Sequence, residues 1–527
     1  MILTDSSAAN VGATAVTAIA SATGAFRQFM CYADTTISLV ISGTIGLIKN
    51  GAGILTLTEN NTYSGGTMIN DGYVVAENQN ALGTGQVTLN STNAGLILSN
   101  GTYINNLLVT DNLNSKFLGV FFDGINTYAP IWSGTILINE TSALGFIISS
   151  ASGDSITISG NISGAGSITK QNPGFLFLSG NNSFTGGITI SSNGGIVVVN
   201  NNNALGTGSA TLAGSNAKIY IGNGVTISNT IIVSDTGGQK TILVETGESA
   251  VISNVTNNET GFGNFRFDTE SAALLNVAGV ISGVGSITKI GTGLLTLSGT
   301  CNYTGQTQIN SGTLEVTGAS TLNGVISGSG TLRKTGTAVL TIGGNNTYSG
   351  GTSYVAAGTS AYILCTSSNA FGTGLLTVSN AVGRIDTGSN VTLPNNFQLT
   401  TALQIRTLGA NTITVSGNIA GGGSLTKSGN GTLILSGTLT YTGQTIITGL
   451  LRAFQTTGAS TATATFNSAG SFIAVSFNVS PPSGVTTFRF FQGSTSGTWG
   501  VGTLTGVPAG TTATYNSTNS TLSVTVP

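Results

Sequence analysis

GGGSLTKSGNGTLILSGTLTYTGQT, residues 421–445, reads as short strands joined by tight turns. SLTK is a strand, and SGNG is a turn in which Gly and Asn permit positive φ. TLILSG is the next strand, with Leu433 and Leu435 on one face by period-two alternation. TYTGQT is a turn carrying Tyr441, and TIIT is a further strand. Strands of four to six residues with turns of two to five leave no room for crossover helices. No segment sustains a 3.6-residue apolar period.

The same template occurs five times, from Gly43, Gly164, Gly283, Gly328 and Gly421. Each copy places an aromatic fourteen residues after a lysine: Lys49 and Tyr63, Lys170 and Phe184, Lys289 and Tyr303, Lys334 and Tyr348, Lys427 and Tyr441. A second template, NALGTG or NAFGTG, follows three of them, at 80–85, 203–208 and 369–374. A strand-like run comes after each: QVTL, SATL and LLTV. Divergent stretches between copies, with runs such as GLILSN and NNLLVT, read as degenerate rungs of the same structure.

Tandem near-identical units favour a coil of parallel strands over an antiparallel sandwich or barrel. One unit cannot bury its apolar face alone, whereas stacked neighbours share a continuous core. The expected fold is all-β, a parallel β-helix or β-solenoid. Composition agrees. Charged residues are 6% of the chain, against about 25% in an average soluble protein. Hydrophobic residues are 39%, enough for a core, and Gly supplies 78 of 527 positions. At about 22 residues per rung and roughly 4.8 Å per strand, about 415 residues would make about 19 rungs and a shaft of about 90 Å. The lysine, the one charge common to all copies, is expected to mark a solvated turn and discourage edge pairing. The aromatic is expected to fill a corner of the core. An exposed aromatic ladder, suited to carbohydrate, is the functional alternative.

The pattern G-x-G-[ST]-[IL]-T-K…L-x-L-[ST]-G…Y-[ST]-G-G-T resembles the passenger-associated transport repeat of autotransporter adhesins, in patches over 41–451. NALGTG is familiar from the same proteins. The resemblance implies a right-handed parallel β-helix displayed outside the cell and often adhesive. It also implies a secretion leader and a C-terminal translocator barrel. The first charged side chain here is Asp5, with no cationic leader region, and the chain ends NSTLSVTVP. Similar repeats occur in predicted fibres of viruses and phages, which need neither leader nor barrel. Cell surface and virion are therefore both carried as expected locations.

The domains expected are an N-terminal cap or attachment segment at 1–40, the β-helix at 41–455, and a small antiparallel β cap or head at 456–527. The last is marked by Arg489, Phe490, Phe491 and Trp499. An open solenoid exposes backbone donors and acceptors at its tips, so caps are expected.

Chemistry is sparse. The chain has no histidine, which removes Ser-His-Asp and Cys-His arrangements. Cys31, Cys301 and Cys365 are scattered and read as buried free thiols. A net charge of −2 gives no basic patch for nucleic acid. No apolar run approaches the roughly 18 residues of a membrane-spanning helix, so no direct membrane insertion is expected. The local acidic concentration is Glu245, Glu248, Glu259, Asp268 and Glu270, near Lys240 and Arg266. Asp268 and Glu270 share a strand face, so a polysaccharide-cleaving carboxylate pair is the enzymatic alternative. The cluster is read as a solvated face with local salt bridges. The expectation is a non-enzymatic fibre without cofactor or metal. A host glycan or protein is its partner, and side-by-side association, for example as trimers, suits a weakly charged shaft.

Overall fold

The computed structural model describes residues 26–443, except 92, 111–114, 143–144 and 192–194. It also describes the backbone of short strands at 9–10 and within 445–526. The chain divides into two units, Met1–Leu275 and Asn276–Pro527. Among the described residues there is no helix, and each unit is a β-solenoid of parallel strands.

In the first unit Gly46–Asn50 is followed in its sheet by Thr67–Ile69, Val87–Leu89 and Leu107–Val109. Leu47, Thr67, Val87 and Leu107 stand in parallel register, twenty residues apart. The next step, Leu107 to Ile136, takes twenty-nine. A second sheet runs from Thr35–Ile37 through Ile54–Leu57, Tyr73–Ala76, Gly95–Leu98 and Lys116–Val120. GLILSN and NNLLVT thus supply the strands Gly95–Leu98 and Leu107–Val109, as degenerate rungs should. The second unit repeats the plan, for example Leu294–Leu297, Thr313–Val316, Thr331–Lys334 and Thr352–Ala356.

Alternation decides which side chains go inward. In Thr432–Leu435, Leu433 and Leu435 are buried and their neighbours are not. Stacking one rung on the next makes the core a column of Leu, Ile and Val, each fully buried side chain contributing about 1.5–3 kcal/mol. The three cysteines are free and buried within it.

Asparagine side chains hold several of the polar turns. In three copies an Asn two residues before the aromatic spans two rungs. Asn61 accepts from Ile41 N at 2.7 Å and donates to Ala81 O at 2.6 Å. Asn182 and Asn346 do the same with Ile162 and Ala204, and with Ile326 and Ala370. Ala81, Ala204 and Ala370 belong to the NALGTG turns, which are capped again from the following rung. Asn105 Nδ2 donates to Gly83 O and Gly85 O at 3.0 and 2.8 Å. Asn229 and Asn395 repeat this on Gly206 and Gly208, and on Gly372 and Gly374. The two copies without an NALGTG turn carry Cys301 and Leu439 in place of the first Asn.

The expected solvated role of the repeat lysines is overturned. Lys49, Lys170, Lys289, Lys334 and Lys427 are each at most 1% exposed. The residue two positions later, Gly51, Asn172, Gly291, Gly336 or Gly429, has φ between 63° and 80°. This left-handed step turns two successive carbonyls toward the amine. Lys170 Nζ donates to Gln171 O and Asn172 O at 2.7 and 2.6 Å. Lys427 reaches Ser428 O and Gly429 O at 2.8 Å each. Lys49, Lys289 and Lys334 make the equivalent pairs. Burial lowers Lys170 to about 7, and Lys334 and Lys427 to about 8, while the carbonyl dipoles favour the charged form.

Replacing Lys170 by Met leaves two buried carbonyls without their donor. Chemical denaturation should show a loss of about 2–4 kcal/mol, while Lys218→Met, on an outward strand position, should cost under about 0.5 kcal/mol. Gly206 has φ +66°, and a methyl there would sit 2.4 Å from Phe184 O. Gly206→Ala should lower stability by about 2 kcal/mol or more in the same assay, against a near-neutral change at the unobstructed, negative-φ Gly388.

Candidate functional site

The repeat aromatics lie in the core, as the corner-filling reading expects. Tyr63, Phe184 and Tyr348 are fully buried, and Tyr303 and Tyr441 nearly so. The phenols of Tyr63, Tyr303 and Tyr348 each meet the hydroxyl of the threonine four residues on, at 2.6 Å. Where the aromatic is Phe184, that threonine is Ile188, so both hydroxyls are lost together. A lone buried hydroxyl would have been costly. The repeat lysines and these aromatics are all turned into the core.

The acidic cluster does not converge on one cleft. Glu259 is buried against Lys240, with its Oε1 accepting from Gly261 N and Asn264 Nδ2 at 3.0 Å each. Glu245 and Glu248 both lie against the Tyr220 hydroxyl, at 3.1 and 3.0 Å. Glu270 accepts from Thr246 N and Oγ1 at 3.2 and 2.9 Å. Asp268 stands on the outward face of Phe265–Thr269, in register with Leu243. Among the described residues no group of three or more His, Cys, Asp or Glu could hold a metal ion.

A different feature stands out from the coil. The twenty-nine-residue step from Leu107 to Ile136 releases extra chain between Lys116–Val120 and Ile131–Trp132. Residues 122–127 of FFDGINTYAPIW are all exposed, with Phe122 at 65% and Ile125 at 87%. The loop is nonetheless held firmly. Asp123 accepts from Ile125 N at 2.9 Å, Asn126 N at 2.8 Å, Asn126 Nδ2 at 2.6 Å and the Tyr128 hydroxyl at 2.9 Å. The Asn126 and Ile125 N–H groups hold the Asp123 carboxyl well below the usual carboxylate range. Gly124 takes φ +75° to make the bend.

Neighbouring rungs anchor its base. Tyr128 N donates to Asp154 Oδ1 at 2.8 Å, and Ala129 N to Asn100 Oδ1 at 2.7 Å. The ring of Phe121 packs edge-on against Tyr128, with centroids 5.4 Å apart. The result is a fixed platform presenting two bare apolar side chains, the arrangement that suits a contact hot spot. Sequence reading passed over this loop because an apolar run beside a strand looks like core. The DG bend was the available signal.

Side chains of the expected C-terminal landmarks, Arg489, Phe490, Phe491 and Trp499, lie outside the described residues. Backbone pairing there is parallel at Ala464–Phe466 and Ile473–Val475. It is antiparallel between Gly484–Gln492, Thr521–Val526 and Thr512–Asn516. Among the described residues no helix is long and apolar enough to cross a membrane.

A model of the passenger-associated-transport-repeat family matches residues 47–76, 168–199, 287–316, 332–359 and 425–449, the five lysine-to-aromatic units. The chain is also similar to the adhesin BmaC autotransporter of Brucella suis biovar 1 (strain 1330). Identity is 27% over 292 residues, which is 51% of this chain and 7% of that adhesin. The chain thus spans a small part of that relative's length. No solved structure matches. The chain thus carries five copies of the passenger-associated transport repeat, each folded into parallel strands of a β-solenoid.

Proposed function

We infer that this chain is a non-enzymatic stretch of an adhesive, cell-surface β-solenoid, and that the loop at 121–130 makes its contact with the target. The repeats and the similarity to a named adhesin support the adhesive class and an extracellular location. The observation that carries the assignment to the loop is its combination of order and exposure. Four hydrogen bonds to one carboxylate fix a segment whose Phe122 and Ile125 are largely exposed among the described residues. Burying two such side chains supplies about 3–6 kcal/mol before the costs of association. The partner is a host-surface protein or glycan offering an apolar face. The solenoid holds the loop out on a scaffold whose own surface is mostly hydroxyls and amides.

The test is adhesion of beads coated with the full chain to host cells. Phe122→Ser/Ile125→Ser should lower bead binding about tenfold or more with circular dichroism and thermal midpoint unchanged. Asp268→Ala/Glu270→Ala should bind as the parent does. Undiminished adhesion of the loop variant would move attachment away from 121–130, and a loss confined to the acidic variant would favour a carbohydrate-processing face.

A further inference from the structure

Two lysines outside the repeat template differ chemically from the five inside it. Lys49 and Lys170 aim their amines at backbone carbonyls, which are inert toward an amine. Lys116 and Lys240 instead contact a carboxyl group. Lys116 Nζ lies against Glu140 Oε2, and Lys240 Nζ against Glu259 Oε2. All four side chains are at most 1% exposed. Both lysines stand in strands, between apolar neighbours in register: Phe146 beside Lys116, and Ala217 and Phe265 beside Lys240.

The other oxygen of each carboxyl is held in the same way. Glu140 Oε1 accepts from Ser142 N at 2.8 Å. Glu259 Oε1 accepts from Gly261 N and Asn264 Nδ2 at 3.0 Å each. Each glutamate therefore has one oxygen held by N–H donation, from one donor at Glu140 and two at Glu259, and the other against an amine. Acyl transfer needs these parts: N–H donation where an oxyanion would form, and an amine already in contact with the carboxyl group it would attack. Lys240 Nζ also donates to Gly237 O at 2.6 Å, which fixes the direction of the amine.

We propose that Lys116 with Glu140, and Lys240 with Glu259, are sites of intramolecular isopeptide bonds that form within the folded chain. Desolvation pushes each carboxyl toward its neutral form, while the hydrogen bonds from the lysine and its neighbours hold it ionised on balance, so the reactive pair of neutral amine and carboxylic acid is a minor form reached by proton transfer across each contact. Nζ then adds to Cδ, and the charge that develops on Oε1 falls among the N–H donors. The C–Oε2 bond breaks, and Oε2 leaves as water carrying two protons that began on the ammonium. One C–N bond replaces one C–O bond, nothing is oxidised or reduced, and no co-reactant is needed. Fixed proximity gives such a step an effective molarity on the order of 10⁵ M or more. Escape of the water to bulk solvent opposes reversal. After reaction Oε1 is an amide oxygen that keeps its donors.

The placement gives the bonds a purpose. Lys116 and Glu140 bracket the lengthened rung, so their bond would close the segment that carries the exposed loop at 121–130. A pull on that loop would then meet a covalent clasp at its base rather than a ladder of hydrogen bonds. Lys240 and Glu259 close the rung that holds Tyr220's two glutamate partners.

The experiment is intact-mass spectrometry of the full chain, purified and denatured. The expected mass falls short of the sequence by two waters. Lys240→Met should fall short of its own sequence by one, and Lys116→Met/Lys240→Met by none. Proteolysis should release branched peptides joining Lys116 to Glu140 and Lys240 to Glu259. A parent mass equal to that of the sequence overturns the proposal, as does a deficit that survives in the double variant. Because the readout is the mass of the parent chain, poor folding of a variant does not decide the outcome.

Discussion

In-register parallel stacking is the constraint on which the rest of this structure depends. Rungs lie about 4.8 Å apart, so a side chain at one position meets the side chain at the same position of the next rung. Leu and Ile gain from this, and an amide can donate to the amide above it. Asn70 bonds Asn50 at 2.9 Å, and Asn90 bonds Asn70 at 3.0 Å. A charge stacked on its like would be repelled. A chain with 6% charged residues and an Asn-, Thr- and Ser-rich surface is what that rule selects. The repeat lysines obey it too. Lys49 is in register with Phe29 and Ile69, Lys170 with Ile148 and Ile190, and the backbone of Lys427 with those of Ile405 and Ile447.

Most of the fold was legible because that constraint leaves a one-dimensional trace. The fixed lysine-to-aromatic offset, the alternation in TLIL and the turn glycines all follow from strands that must pair with copies of themselves. The degenerate rungs were legible for the same reason. The fate of the lysines was not, since a lysine beside a Gly-rich turn ordinarily snorkels to solvent. What draws it inward is a left-handed residue two positions later, which aims two carbonyls into the core. That residue is glycine in four copies and Asn172 in the fifth, so the signal was present but needed the geometry to give it meaning.

The exposed loop and the buried lysine–glutamate pairs were harder to read because their partners come from other rungs. Glu259 sits in sequence among surface acids, and Lys240 lies nineteen residues before it on the inward face of another strand. Nothing local distinguishes it from Glu245. The loop at 121–130 owes its order partly to Asp154 and Asn100, twenty-six and twenty-nine residues from the groups they hold. Register decides such pairings, and register is lost to sequence reading once rung length departs from twenty.

That departure separates the two kinds of rung. Template rungs keep their length, satisfy their carbonyls with one lysine and their turns with asparagine, and leave few large apolar groups bare. They are scaffold, and their repetition follows from stacking. A lengthened rung breaks the register of turn with turn, so its polar groups need partners that the template does not supply. Lys116 with Glu140 is such a substitute, and it stands at the two ends of the segment bearing the most exposed apolar side chain described, Ile125. Before any bond joins them, removing either partner would leave an unpaired charge in the core, at a cost of about 3–5 kcal/mol. The irregular rung thus meets its buried polar groups with an acid–base pair where template rungs use backbone carbonyls and asparagine. An exposed ordered loop and a buried lysine–glutamate pair thus share one stretch of chain.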